Sequence, residues 1–73
     1  MSQDQTTPEA WEAEYLAAFV RIAVERGYWT AEDAAPWADS CAADACAACW
    51  HQGTPPAEVA DVDVDICARE SAA

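Results

Sequence analysis

Residues 7–27, TPEAWEAEYLAAFVRIAVERG, carry the clearest structural pattern in this chain. Their large side chains recur at spacings of four, four and three residues: Trp11, Tyr15, Phe19 and Ile22. That spacing is the period of one face of an α-helix. Thr7 and Pro8 are typical of a helix start, and Gly27 is typical of the position just after a helix. The pattern predicts an amphipathic helix over residues 8–26.

The second segment begins at Thr30, where a threonine again precedes acidic residues. Pro36 follows six positions later, where the N–H that proline lacks is normally needed. We therefore expect a short turn over 31–35 and then a helix over 36–52, with a continuous kinked helix as the alternative. The helical period predicts these residues for its inner face: Trp37, Ala38, Cys41, Ala45, Ala48 and Cys49.

The third segment, after Thr54, fits two structures. Its larger apolar residues form a helical stripe: Val59, Val62 and Ile66. Aspartate and apolar residues also alternate over 61–66, as in a strand, which would have to pair with a second copy of the chain. The proline pair after Thr54 and the Ala-rich ending favour a helix over 55–69.

The chain has 73 residues, which leaves room for one domain. We expect residues 1–7 to be a disordered lead-in, with Thr7 capping the first helix, and residues 8–70 to form one helical domain. The predicted fold is all-α, a small three-helix bundle. Nineteen residues are alanine and only sixteen are large and apolar, so the expected core is small. A monomer and a homodimer both fit this composition.

The net charge is −11, from fourteen acidic residues, three arginines and no lysine. A GC-rich genome or a salt-rich host would each give acidity without function. A functional acidic surface is the third interpretation. All three disfavour direct binding to nucleic acid or membrane surfaces. No secretory signal or apolar membrane span is evident, so the expected location is the cytoplasm.

The acidic residues predict an interaction surface. On a helix, Glu58, Asp61 and Asp65 fall in one row at i, i+3 and i+7. The preceding segment adds four carboxylates: Glu32, Asp33, Asp39 and Asp44. Two tryptophans outside the predicted core are candidate anchors: Trp29 and Trp50. This set indicates docking on a basic surface of a protein partner. The narrower hypothesis is a nucleic-acid mimic, acting as an inhibitor of a nucleic-acid-binding complex.

Four cysteines support an alternative function. Cys41, Cys46, Cys49 and Cys67 would form a zinc-binding or redox-responsive helical domain if their thiols converged. The second half of a paired zinc motif is missing, and the cysteines also fit an alanine-rich helix interface as small buried residues. We therefore expect no cofactor, with zinc as the alternative.

Catalysis has no candidate constellation. His51 is the one histidine, and Asp44, the acidic residue before it, lies about two helical turns away. Asp61, Asp63 and Asp65 lack the glycine and glutamate of a calcium-binding loop. The sequence therefore predicts a non-enzymatic interaction protein.

Overall fold

The structure is a computed structural model, and it describes residues 7–72. Helix α1 spans Pro8–Glu25, α2 spans Ala31–Cys49, and α3 spans Pro56–Ala72. A short 3₁₀ helix, Trp50–Gln52, follows α2. The described residues contain no strand, which confirms the predicted all-α three-helix bundle. Of the lead-in predicted to be disordered over residues 1–7, residues 1–6 lie outside the described part of the chain, and Thr7 is the N-cap of α1.

Helix α1 begins and ends where its sequence predicts, to within one residue. The Thr7 side chain accepts a hydrogen bond from the Ala10 amide at 3.1 Å, and Pro8 occupies the first turn. Gly27 has a φ of 77°, a left-handed conformation that glycine adopts without steric cost. The buried residues of α1 include the whole predicted stripe: Trp11, Tyr15, Ala18, Phe19, Ile22 and Ala23.

Helix α2 corrects the prediction of a break before Pro36. The helix is continuous from Ala31, and Thr30 caps it by accepting a hydrogen bond from the Asp33 amide at 3.2 Å. Proline at this position removes the hydrogen bond to the Glu32 carbonyl. Both Glu32 and Pro36 are exposed, so water can hydrate that carbonyl and the loss is tolerable. The α-helix ends at Cys49, and the last three predicted residues form the 3₁₀ helix.

The buried face of α2 is also rotated from the predicted one. Its fully buried residues are Ala34, Ala38, Ala42, Ala45 and Cys46. Ala48 is exposed, whereas Trp37, Cys41 and Cys49 are half-buried. Alanine has little side-chain volume, so this face lets the backbone of α2 come close to α1.

Helix α3 confirms the helical interpretation of the third segment, and the interpretation of residues 61–66 as a strand is therefore wrong. The predicted stripe of α3 is wrong too. Val62 is 58% exposed and Ile66 is 40% exposed, while the buried residues are smaller on average: Ala60, Val64 and Cys67. Their spacing of four and three is also helical, so the pattern alone did not distinguish the two faces.

Contacts with α1 decide which face of α3 is buried. The three aspartates beside the buried stripe each receive a hydrogen bond from a side chain of α1 or the turn after it. Tyr15 donates to Asp63 at 2.7 Å, Tyr28 donates to Asp65 at 2.8 Å, and Arg26 donates to Asp61 at 2.7 Å. Rotation of α3 to bury Val62 would break these pairs.

Helix α1 is the centre of the bundle. Both α2 and α3 pack extensively on it, and they contact each other far less. A run of neighbouring aromatic rings crosses from α1 to α2, with centroids 5.3–6.3 Å apart: Trp11, Tyr15, Phe19, Trp29 and Trp37. The Trp11 indole also donates to the Thr54 carbonyl at 2.9 Å, which holds the start of α3 against α1. No helix within residues 7–72 has the length and apolar character needed to cross a membrane.

Candidate interaction surface

The outward side of α2 carries four of the predicted interaction residues: Glu32, Asp33, Asp39 and Asp44. We call these four residues the acidic face of α2. All four are exposed. At about 100° per residue, Glu32 and Asp39 lie along one flank of the helix, whereas Asp33 and Asp44 lie along another flank, farther from the buried alanines. Helix α2 contains no basic residue, and both salt bridges within residues 7–72 involve Arg26, which lies just after α1. The negative charge of this face is therefore not neutralised within the described chain.

The acidic row of α3 is different, because α1 supplies it with a cation. Arg26 forms salt bridges with Asp61 at 2.7 Å and with Asp65 at 3.0 Å. The Tyr28 hydroxyl hydrogen bond and the Arg26 charge lower the pKa of Asp65, although partial burial opposes them. Of the predicted row, only Glu58 is exposed without such a pair in the described residues. Sequence reasoning missed this pairing because Arg26 lies 35 residues before Asp61.

Replacing Arg26 with alanine tests this description of α3. We expect the Tm to fall by about 2–5 °C at low ionic strength, because the pair is partly exposed and two aspartates lose their shared cation. The lowered pKa of Asp65 means that its contribution is present above its ordinary value of 3.8 and is lost as the pH falls further. The difference in Tm should therefore shrink in strong acid and also in 1 M salt.

Arg21→Ala is the matched control for this measurement, since Arg21 is exposed on α1 and has the same charge. Thermal unfolding followed by circular dichroism gives both Tm values. An equal fall in the two variants would mean that net charge, and not the Arg26 pairs, sets the effect.

The two candidate tryptophan anchors lie in different surroundings. Trp29 is half-buried, with its ring stacked near Phe19 at 6.3 Å and Trp37 at 5.3 Å. Much of its surface therefore already contributes to the bundle. Trp50 is 37% exposed and borders a small cavity of about 140 Å³ beside Trp11 and the Pro55–Pro56 pair. Trp50 is the more accessible of the two anchors.

The four cysteines do not converge. Cys41 and Cys67 face each other with their sulfur atoms 3.6 Å apart. Cys46 lies on the α1 side of α2, where its thiol donates to the Pro8 carbonyl at 3.7 Å. Within residues 7–72, no three histidine, cysteine, aspartate or glutamate side chains are grouped closely enough to hold a metal ion. This geometry gives the four-cysteine zinc site no support.

A groove between α2 and α3 was not predicted from the sequence. It has a volume of about 400 Å³ and lies between the two helices that contact each other far less than either contacts α1. Its apolar wall contains Ala45, Ala48, Val59 and Ile66, and its acidic side chains are Asp44, Asp63 and Glu70. Cys41 and Cys67 line it as well. The groove thus joins the acidic face of α2 at Asp44.

Buried groups near the groove are held in their neutral forms. Burial, and then the hydrogen bond to Asp63, raise the pKa of Tyr15. Burial, and then the contact with Cys41, raise the pKa of Cys67 to about 12. Neither group is ionised near neutral pH, so the charge of this region comes from its carboxylates.

Comparisons with protein-family models, with curated proteins and with solved structures gave no match to this chain. Its functional assignment therefore depends on its own geometry and charge.

Proposed function

We propose that this protein is a non-enzymatic binding module that docks on a basic surface of another protein through the acidic face of α2. The observation that carries the proposal is a set of four exposed, unneutralised carboxylates on a helix without any basic residue. Long-range attraction between such a face and a basic patch speeds association and selects for basic partners.

The rigidity of α2 supports this function. The helix is held against α1 along its length by its alanine face and by Trp37, so its carboxylates project from a fixed backbone. A partner then meets charges whose spacing is already set, which lowers the ordering cost of binding. The 3₁₀ helix places Trp50 just after this face, where an aromatic side chain would add apolar contact area.

The narrower form of the proposal is a nucleic-acid mimic that inhibits a nucleic-acid-binding complex. Glu32 and Asp44 are twelve residues apart, or about 18 Å along the helix axis. The axial gaps between successive carboxylates are about 1.5, 9 and 7.5 Å, against a regular spacing of about 3.4 Å for phosphates along one strand of duplex DNA. The support for this narrower form is therefore the concentration of uncompensated negative charge over about 18 Å, and not the regularity of its spacing.

Neutralising the acidic face tests the proposal. The variant Asp33→Asn/Asp39→Asn/Asp44→Asn is expected to bind basic nucleic-acid-binding proteins at least tenfold more weakly than the unmodified protein. Binding of the unmodified protein should weaken steeply as salt rises from 0.05 to 0.5 M, because screening removes the attraction. An array of purified nucleic-acid-binding proteins, read by surface plasmon resonance, provides the measurement.

The matched control is Glu9→Gln/Glu14→Gln/Glu25→Gln on α1, which removes the same charge from exposed positions. Each triple variant also removes one acidic residue from the first turn of a helix. Equal losses in both variants would mean that net charge alone drives binding, and salt-independent binding would remove the electrostatic proposal. Competition with duplex DNA distinguishes the two forms of the proposal. DNA should displace a nucleic-acid mimic from the partner, because both occupy the same basic surface, whereas a module that docks elsewhere on the partner should stay bound.

A further inference from the structure

We propose that Cys41 and Cys67 are a site of reversible oxidation, at which a low-molecular-weight disulfide converts the two thiols into a crosslink between α2 and α3. The inference is independent of the acidic face. It rests on the observation that two of the four cysteines, Cys41 and Cys67, lie in contact and line the groove.

The position of the two sulfur atoms favours this bond. They are 3.6 Å apart, and closing to a disulfide bond length of about 2.05 Å requires a shift of about 1.6 Å. Cys41 is on α2 and Cys67 is on α3, the pair of helices with the weaker mutual contact. Small adjustments of these helices are therefore less restricted than movements against α1.

Access to the groove distinguishes this pair from Cys46. Both Cys41 and Cys67 line the groove, and Cys41 is only half-buried, so a small reagent can reach it from solvent. Cys46 is buried against the Pro8 carbonyl on the other side of α2. Cys49 lines the groove too, but the close sulfur–sulfur contact found among the described residues is between Cys41 and Cys67. The C-x-x-C spacing of Cys46 and Cys49 therefore does not mark the reactive pair.

The chemistry is two successive thiol–disulfide exchanges. The Cys41 thiol loses its proton, and its sulfur attacks one sulfur of the reagent RSSR, which forms Cys41–S–SR and releases RS⁻. The Cys67 thiol then gives its proton to solvent, and its sulfur attacks the Cys41 sulfur, which expels the second RS⁻. The two released thiolates take up two protons. The net reaction consumes RSSR and two protein thiols and yields one protein disulfide and two RSH, so the protein loses two electrons and the reagent gains them.

The order of the two attacks follows from burial. Cys41 is the more exposed thiol, while Cys67 is buried and its pKa is raised to about 12. A reagent therefore meets Cys41 first. Cys67 acts second, where its closeness to the mixed disulfide compensates for its low thiolate fraction.

The crosslink should stabilise the bundle, because it closes a loop of the chain that otherwise gains freedom on unfolding. Cys41 and Cys67 are 26 positions apart, and a crosslink that closes a loop of this length is expected to raise the Tm by about 10–20 °C. Reduction with dithiothreitol should return the original Tm. The crosslink would also narrow the groove, since it fixes α2 to α3 at its wall.

Incubation of the reduced full-length protein with oxidised glutathione tests the proposal. Intact mass spectrometry should give loss of two hydrogens with no retained glutathione, and non-reducing peptide mapping should link Cys41 to Cys67. In Cys41→Ala and Cys67→Ala, the crosslink and the rise in Tm should both disappear. Cys46→Ala and Cys49→Ala are the matched controls, and both should crosslink as the unmodified protein does.

Three outcomes would overturn the proposal: a Cys46–Cys49 peptide, a crosslinked dimer, or a stable glutathione adduct on the unmodified protein. Mass spectrometry and peptide mapping of the unmodified protein identify the bonded cysteines directly. The proposal therefore stays testable even if a cysteine variant fails to fold. A Cys41–Cys67 bond that leaves the Tm unchanged would contradict the stabilising role.

Discussion

Replacing Phe19 with alanine is expected to remove a large part of the stability of this protein. Phe19 is fully buried, and its ring lies between those of Tyr15 and Trp29, at centroid distances of 5.9 and 6.3 Å. Loss of a buried phenylalanine costs about 3–5 kcal/mol, because transfer free energy is lost and a cavity remains. A domain of this length has a total stability of only about 4–11 kcal/mol.

The composition of the core makes this site unusually sensitive. Helix α2 contributes mainly alanines to the interior, so the large buried side chains come chiefly from α1. The surrounding residues offer few flexible side chains that could fill the space left by the ring. Urea denaturation followed by circular dichroism should give a much lower midpoint, or no folded baseline at 25 °C.

Val62→Ala is the control, since Val62 is apolar but 58% exposed. Its free energy of unfolding should change by less than about 0.5 kcal/mol. If Phe19→Ala and Val62→Ala had similar midpoints, the core described here would be wrong. A folded Phe19→Leu variant would show that apolar volume, and not the aromatic ring itself, is required.

Raising the pH above about 9 is expected to destabilise the protein progressively. Burial raises the pKa of both Tyr15 and Cys67 above their ordinary values of 10.0 and 9.0. The folded state therefore binds these protons more tightly than the unfolded state. The stability that they contribute is fully present below the ordinary pKa values and is lost as the pH rises through them, by up to about 1.4 kcal/mol per pH unit for each group.

Urea denaturation between pH 8 and 11, with a phosphine reductant to keep the thiols reduced, measures this slope. Tyr15→Phe and Cys67→Ala should each make the fall in unfolding free energy with pH less steep, by up to about 1.4 kcal/mol per pH unit. That change corresponds to one fewer proton released on unfolding. Val64→Ala is the control, because it lowers stability at every pH but removes no titrating group. A free energy of unfolding that stays constant from pH 8 to 11 would contradict the burial of both groups.

Helix α1 could be predicted almost completely from the sequence. Its cap, its apolar period and its glycine stop all lie within residues 7–27, and these local signals agree with one another. The existence of α2 and α3 was also predictable, from Thr30 and Thr54. The break before Pro36 was not, because the effect of proline depends on whether the Glu32 carbonyl is exposed to water, which a sequence pattern does not report.

The candidate interaction surface was predictable in part. The carboxylates of α2 are exposed, although the buried face of this helix is rotated from the predicted one. Those of α3 do not remain available as predicted, because Arg26 and Tyr28 approach them from a distant part of the chain. The Cys41–Cys67 pair was not predicted, because the sequence pattern does not determine which of the four thiols meet.

The sequence by itself determined the three helices and the net charge. Each depends on neighbouring residues or on composition, so local pattern is enough. Only the tertiary structure decided which stripe of α3 is buried, which aspartates are paired, where the groove lies and which thiols meet. Those features depend on contacts between residues 26 or more positions apart. The helical period leaves the rotation of one helix against another open, and the pairing of Tyr15, Arg26 and Tyr28 with α3 sets it.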